Sequence, residues 1–507
     1  MIDRNGCYTY ASLKKHTHSL NRTISEYLNG FSGQRIAYLC PHDATYVVTQ
    51  NAIWQGKGVA VPLSPKHPTE MLSYFMKDSG AELLIAHADF SPLIQDLKPL
   101  GIPVHVIRKE EYLPTSAEQN NGIDDDKHED KEPAVIVYTS GTTGPPKGVV
   151  QTHGSLSAMV QDQVSCWGWT ADDVILHVLP LHHVHGIVNT LHVPLTIGAT
   201  CVMMEKFQVD ETWKLLLGDH SWTPLLPSPI NVFMAVPTVY AMLLQGAPKN
   251  VRDILKKNFR LMVSGSASLP LPIMQQWEEV SGHRLLERYG MTETGMVLTN
   301  PLNGERLPGA VGQPFPSVKV CIADPSHGDA VKCLAEGDSD GTTVHSADQD
   351  EIKGELLVKG PTVFTEYWGK ESATQDAFTD DGWFRTGDTV SYENGVYRIM
   401  GRTSVDIIKS AGYKISALDI ERHLLAHPRI TDCAVVGLDG PVYGQKIAAV
   451  IVLNDEDDLE LQELNEWLSE RTPVYQLPRQ LKILDVLPRS LIGKVNKKEL
   501  VREVFGE

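Results

Sequence analysis

No apolar run in this 507-residue chain approaches the roughly 20 residues that a bilayer-spanning helix needs. The first residues, MIDRNGCYTYASLKK, lack the apolar core of a secretory signal, and nothing in them has the character of a transit segment. Cysteine is scarce. Cys7, Cys40, Cys166, Cys201, Cys321, Cys333 and Cys433 are odd in number, scattered and without CxxC spacing, which argues against a disulfide framework and predicts free thiols in a reducing compartment. Positive charge is short as well: 45 Lys and Arg stand against 63 Asp and Glu, a net charge of -18, with no basic stripe. Nucleic acid and anionic membrane are therefore poor partners, and small-molecule chemistry is what remains. A metal-binding pattern is also missing. His177, His182, His183 and His185 have no cysteine or carboxylate cluster beside them, and Leu424 follows His423 where an HExxH zinc motif ending at His427 needs glutamate.

What is present is length, enough for two or more domains, and a rhythm of short apolar runs. Arg35–Cys40 (RIAYLC), Gly58–Pro62 (GVAVP), Glu82–Ala86 (ELLIA) and Ala134–Tyr138 (AVIVY) alternate with segments of helical character. That alternation predicts an α/β fold with mostly parallel sheets. Ala117–Lys131 reads as a solvated linker. A second polar insertion, Asp324–Asp350, precedes the strand-like Gly354–Lys359 and is assigned no function. Near Gly401 the pattern shortens and ends in a Lys-rich tail, which predicts a large domain over 1–401 and a small α+β domain over 402–507.

Directly after AVIVY comes Thr139–Gly148, TSGTTGPPKG. Glycines let a backbone approach a polyphosphate, N–H and hydroxyl groups bond its oxygens, and Lys147 adds a charge; the Walker A spacing is absent. The ten-residue string resembles the phosphate loop of the adenylate-forming superfamily of acyl-CoA synthetases, luciferases and peptide-synthetase adenylation domains. In the same order follow LPLHHVHG (Leu179–Gly186), VSGSA (Val263–Ala267), ERYGMTE (Glu287–Glu293), WFRTGD (Trp383–Asp388), GRTSVDIIK (Gly401–Lys409) and PRSLIGK (Pro488–Lys494), so the resemblance covers nearly the whole chain.

The resemblance implies an ATP-dependent acyl-CoA ligase using Mg²⁺ and CoA. By it, Thr139, Ser140, Gly141, Thr142, Thr143, Gly144 and Lys147 cradle phosphates, Tyr289 stacks on adenine, Thr292 touches the α-phosphate and Glu293 holds Mg²⁺. Asp388 takes the ribose hydroxyls, with Arg402 beside it. Lys494 bridges the acid and the α-phosphate during adenylation, whereas Lys409, Gly412 and Lys414 line the pantetheine path after a domain rotation pivoting within Arg402–Asp406. A non-catalytic nucleotide sensor is disfavoured because these positions are all filled. A carrier-loading module is disfavoured because no carrier domain adjoins.

In this family the residue before the stacking tyrosine faces the acyl pocket, and here it is Arg288. A buried cation demands an anion, because an unpaired one costs about 3–5 kcal/mol. A dicarboxylate would supply it, with His183 at the pocket mouth and His185, Ser266 and Met291 completing the wall. LPLHHVHG with ERYGMTE resembles the malonate-activating members, of which the mitochondrial ones are most similar; the matrix, or failing that the cytoplasm, is the expected compartment, with a monomer or weak homo-oligomer. Met242 stands where bacterial malonate-activating relatives carry arginine, so recognition is expected to rest on Arg288 and the histidines. Methylmalonate, a short or medium monocarboxylate, and an internal salt bridge from Arg288 to Glu287 are the alternatives left open.

Overall fold

The computed structural model describes residues 1–112, 128–139, 145–219, 226, 228–324, 331–345, 351–410, 413–440, 444–454, 458–489 and 495–506. Its strands fall into four sheets of nine, seven, six and five strands. In the seven-stranded sheet the predicted apolar runs become Arg35–Leu39, Val59–Pro62, Leu83–His87 and Pro133–Thr139, joined in parallel with Ala37 opposite Val61 and Ala60 opposite Val135. Successive side chains of such a strand point to opposite faces. Ile36 and Tyr38 enter one apolar cluster and Ala37 and Leu39 another, which is why the run is apolar throughout rather than alternating.

The first of these clusters also holds Ile175, Val232, Met234 and Val263 of the nine-stranded sheet. The two large sheets therefore share one interior, and the strand ends that carry the sequence motifs are fixed relative to each other by it. The six-stranded sheet is antiparallel and contains Phe384–Glu393 and Val396–Arg402. Within the polar insertion, Cys333–Asp338 and Gly341–Val344 form a hairpin that pairs with Lys319–Ala323. This hairpin corrects the expectation of seven free thiols. Cys321 and Cys333 sit on neighbouring strands with Cα atoms 5.9 Å apart and are disulfide-bonded, a proximity created by the strand pairing and invisible in their spacing. The other five cysteines are free.

The five-stranded sheet comprises Ile407–Ser410, Tyr413–Ser416, Ile430–Gly440, Gly444–Leu453 and Gln480–Ile483. Two apolar clusters formed only by residues 408–505 pack it against the helices Ala417–Leu424 and Leu461–Ser469. Ser416 caps the first helix through the Asp419 N–H and donates to the Met400 carbonyl, 2.6 Å away, so one side chain starts the helix and ties it to the preceding sheet.

Candidate active site

The strand Leu286–Met291 runs parallel to Leu261–Ser264 on one side and antiparallel to Gly295–Thr299 on the other. Its period of two sends Glu287 and Arg288 in opposite directions. Glu287 accepts the Gly309 N–H at 2.8 Å and lies near Arg422 and Arg398; burial raises its carboxyl to about 7. An internal Glu287–Arg288 salt bridge is thus ruled out by geometry.

Arg288 is buried at 4 % exposure, and no carboxylate pairs with it among the described residues. Its Nη2 reaches Ser266 Oγ at 3.5 Å and its Nε has no partner, while burial lowers the guanidinium to about 9. The group lies against Gly265, where a Cβ would stand 2.5 Å from Cζ, so any larger residue there displaces the guanidinium. Ser266 adopts φ 68°, a left-handed conformation that costs a non-glycine residue on the order of 1–3 kcal/mol and places its hydroxyl between two groups. The second group is His185, whose Nδ1 is 3.1 Å from Ser266 Oγ and whose Nε2 has no partner among the described residues. Burial, with the Arg288 charge next to it, holds His185 well below the ordinary histidine value and therefore neutral.

His185 opens a π-helical turn, His185–His192, whose side chains are all buried. Gly186 is required there because a Cβ would meet the Pro180 carbonyl oxygen at 2.1 Å. Wide turns of this kind mark functional positions in helices. His183 lies just before it, ring against ring with His182 at 4.1 Å, and His182 meets His67 at 5.0 Å. Met291 contributes a sulfur 3.9 Å from the Tyr289 hydroxyl.

Past Arg288 the same strand reaches a second cluster of charges. The Tyr289 hydroxyl donates to Asp388 Oδ2, and Arg402 Nε stands 3.1 Å from Asp388 Oδ1. Arg402 Nη1 also donates to the Thr386 carbonyl at 2.6 Å. Gln151 Nε2 donates to the Thr292 carbonyl at 2.7 Å, and the Glu293 carbonyl accepts the Phe364 N–H at 2.7 Å. Glu293 is buried, accepts from the Tyr367 hydroxyl at 3.0 Å, and is raised by burial against the pull of Arg402 and Lys147. Lys147, paired across the sheet with Thr139, places Nζ 4.5 Å over the Tyr367 ring.

The structure thus brings together Thr139, Lys147, Tyr289, Thr292, Glu293, Asp388 and Arg402 on one side of the strand end, and His183, His185, Ser266 and Arg288 on the other; Met291 touches Tyr289 and packs on the cluster of Phe364, Tyr367 and Phe384. Ser140, Gly141, Thr142, Thr143, Gly144, Gly412 and Lys494 lie outside the described residues. Lys409 and Lys414 are in backbone register on paired strands of the five-stranded sheet, and the Lys409 N–H donates to Gln445. Sequence reasoning missed Tyr367 and Gln151. Gln151 lies just past the phosphate-loop string on the strand that Lys147 opens, Tyr367 on a short strand paired with it, and neither residue type carries a signal of its own.

Among the described residues no group of three or more His, Cys, Asp or Glu could hold a metal. Glu293 alone still fits Mg²⁺, which commonly takes one or two carboxylates and completes its shell with phosphate and water oxygens.

The description "AMP-binding enzyme" matches residues 1–368, and "AMP-binding enzyme C-terminal domain" matches residues 419–494. A malonate–CoA ligase ACSF3, mitochondrial, of Xenopus laevis is 46 % identical over 526 residues, covering 100 % of this chain and 90 % of its own. A malonate–CoA ligase of Arabidopsis thaliana is 38 % identical, covering 98 % and 82 %. The ATP-bound MatB from Rhodopseudomonas palustris superposes with a TM-score of 0.84 at 28 % identity, covering 100 % of this chain and 95 % of that one. A malonyl-CoA ligase product complex with methylmalonyl-CoA and AMP is 32 % identical yet superposes at 0.63, covering 95 % and 94 %. Motif order, the paired halves of the site and full-length similarity converge, and the chain belongs to the AMP-binding, adenylate-forming enzyme family.

Proposed function

We propose that this chain is a malonate–CoA ligase. Malonate attacks the α-phosphate of ATP through one carboxylate, giving malonyl-adenylate and pyrophosphate; the CoA thiol then displaces AMP, giving malonyl-CoA. The observation that carries the acid's identity is Arg288, buried, without a carboxylate partner among the described residues, and bracketed by Ser266 and His185. Malonate's distal carboxylate supplies the missing anion. With Ser266 donating to His185 Nδ1, the neutral ring has an Nε2–H left to give to the same carboxylate. A fatty acid leaves the guanidinium unpaired, and even about 3 kcal/mol is over a hundredfold in selectivity. Methylmalonate is a second substrate to the extent that Val184 and Met291 leave room beside the α-carbon.

On the nucleotide side, Asp388 exchanges the Tyr289 hydroxyl for the ribose hydroxyls and frees the ring to cover adenine. Thr292 meets the α-phosphate, and Lys147 with Thr139 and the 140–144 segment meets the β- and γ-phosphates. Glu293 would hold Mg²⁺, which when bound neutralises phosphate charge. Lys494 takes the bridging position between acid and α-phosphate, where preorganised positive charge stabilises the transition state most. A boundary at 401/402 lets residues 402–507 rotate so that Lys409, Gly412 and Lys414 line the CoA path. Support comes from the better superposition on the ATP-bound relative than on the CoA product complex. The mitochondrial relatives support a matrix location.

The test is AMP release with ATP, Mg²⁺ and CoA, comparing malonate, methylmalonate, acetate and octanoate on the wild type and on Arg288→Ala. The expected result is a malonate preference that falls by roughly a hundredfold in the variant. Equal or better turnover of octanoate by the wild type would sink the reading.

A further inference from the structure

Lys497 belongs to none of the motifs, yet it is among the most buried lysines of the described chain. Its ammonium sits 2.5 Å from Asp406 Oδ1 and 2.7 Å from Glu421 Oε1, and the three side chains are 11 %, 12 % and 15 % exposed. Two carboxylates around one ammonium make a compact ionic cluster with no slack, because the partial removal of buried charges leaves an uncompensated one. Each carboxylate also holds something else. Glu421 Oε1 accepts the Val435 N–H at 2.7 Å, which fixes Lys497 to the five-stranded sheet. Asp406 Oδ2 accepts the backbone N–H of Arg402 at 2.9 Å. Arg402 in turn reaches Asp388 and the Thr386 carbonyl with its guanidinium. A continuous chain of charge-assisted contacts therefore runs from the C-terminal helix start, through the turn 402–406, to the carboxylate of the nucleotide side. Gly401 adds a steric lock: a Cβ there would come within 2.4 Å of Asp406 Cβ.

We propose that Lys497 is a positioning residue for the ATP-dependent half-reaction: it holds Asp406 so that Arg402 meets Asp388, and thereby favours the arrangement of the C-terminal part that serves adenylation. This rests on the two-step reading above. The Arg402–Asp406 link spans the turn about which rotation is proposed, so the second half-reaction, run after that turn has changed, does not draw on it. Lys497 itself touches no reacting atom.

The full-length chain is compared as wild type, Lys497→Met, Lys497→Arg and the double variant Lys497→Met with Glu421→Gln, in which the surplus buried charge is reduced. Three readings are taken: malonate-dependent exchange of pyrophosphate into ATP, conversion of supplied malonyl-adenylate and CoA to thioester, and Mg·ATP affinity without acid. Expected is a loss of exchange and of ATP affinity of about tenfold in both methionine variants, with thioester formation changed less than about threefold and partial recovery in the arginine variant. Equal loss in both half-reactions, or a lowered melting temperature with ATP affinity intact, would overturn the positioning role. Failure of the wild type to exchange with malonate would instead sink the substrate reading, and the ATP titration would still decide the role of Lys497.

Discussion

The two halves of the site meet on one strand and treat charge in opposite ways. On the nucleotide side the described charged groups are engaged: Asp388 has Tyr289 and Arg402, and Glu293 has Tyr367 with Lys147 nearby. On the acyl side Arg288 Nε and His185 Nε2 are buried with nothing to bond among the described residues. An engaged network binds by exchanging partners, so its affinity is a difference between two nearly equal sets of contacts. An unsatisfied cation binds by acquiring a partner, and the whole desolvation cost already borne by the empty pocket becomes selectivity for an anion. Under the proposed roles, ATP recognition is spread over several engaged groups, whereas acid recognition concentrates on Arg288.

The sharpest way to break the comparison is Glu293→Gln. Gln still accepts from Tyr367, so folding is preserved while the charge is lost; malonyl-CoA formation should fall by about 10²–10³-fold with the melting temperature unchanged, measured by steady-state kinetics and calorimetry. A loss below about tenfold would remove Glu293 from the chemistry. Next comes Arg288→Met, which should do the reverse to stability. Replacing an unpaired buried charge by an apolar chain of similar length should raise the melting temperature of the acid-free protein, by an amount equivalent to about 1–4 kcal/mol, and abolish the further rise that saturating malonate gives the wild type. A lower melting temperature would mean that Arg288 is satisfied in the empty protein.

The smallest effect sharpens the contrast between the strand's two faces. Glu287 is raised to about 7 from an ordinary value of 4.5, chiefly by burial. Between those values the folded state keeps a proton that the unfolded chain has lost, so this group's contribution to stability declines as pH rises from about 4.5 to 7. Glu287→Gln removes that decline. The variant's stability should exceed that of wild type by a margin that grows between pH 5 and 8, to about 1–3 kcal/mol by denaturant unfolding. A margin that shrinks instead would mean that Arg422 and Arg398 hold Glu287 ionised.

Much of this was legible in the chain itself, for a physical reason. A parallel strand buried on both faces leaves a continuous apolar run, and Arg35–Leu39, Val59–Pro62, Leu83–His87 and Pro133–Thr139 are found within a residue or two of their predicted bounds. The Cys333–Val344 hairpin was not legible, because its second strand is largely exposed and leaves no apolar period. For the same reason the Cys321–Cys333 pair had no signature. Tyr289, Glu293, Asp388 and Arg402 could be named since each is a fixed offset within a motif. Tyr367 and Lys497 could not, as only tertiary pairing brings them in. The orientation of Arg288 away from Glu287 was available from the period of a strand, had residues 286–291 been read as one.

Gly265 constrains how such a pocket can change over evolutionary time. Because the Arg288 guanidinium occupies the volume a Cβ at 265 would need, glycine there keeps the guanidinium where Ser266 and His185 meet it, and a larger residue would push it away. Substitutions at the two sites should be strongly epistatic, so a survey of single changes would misjudge how far this enzyme stands from another acid.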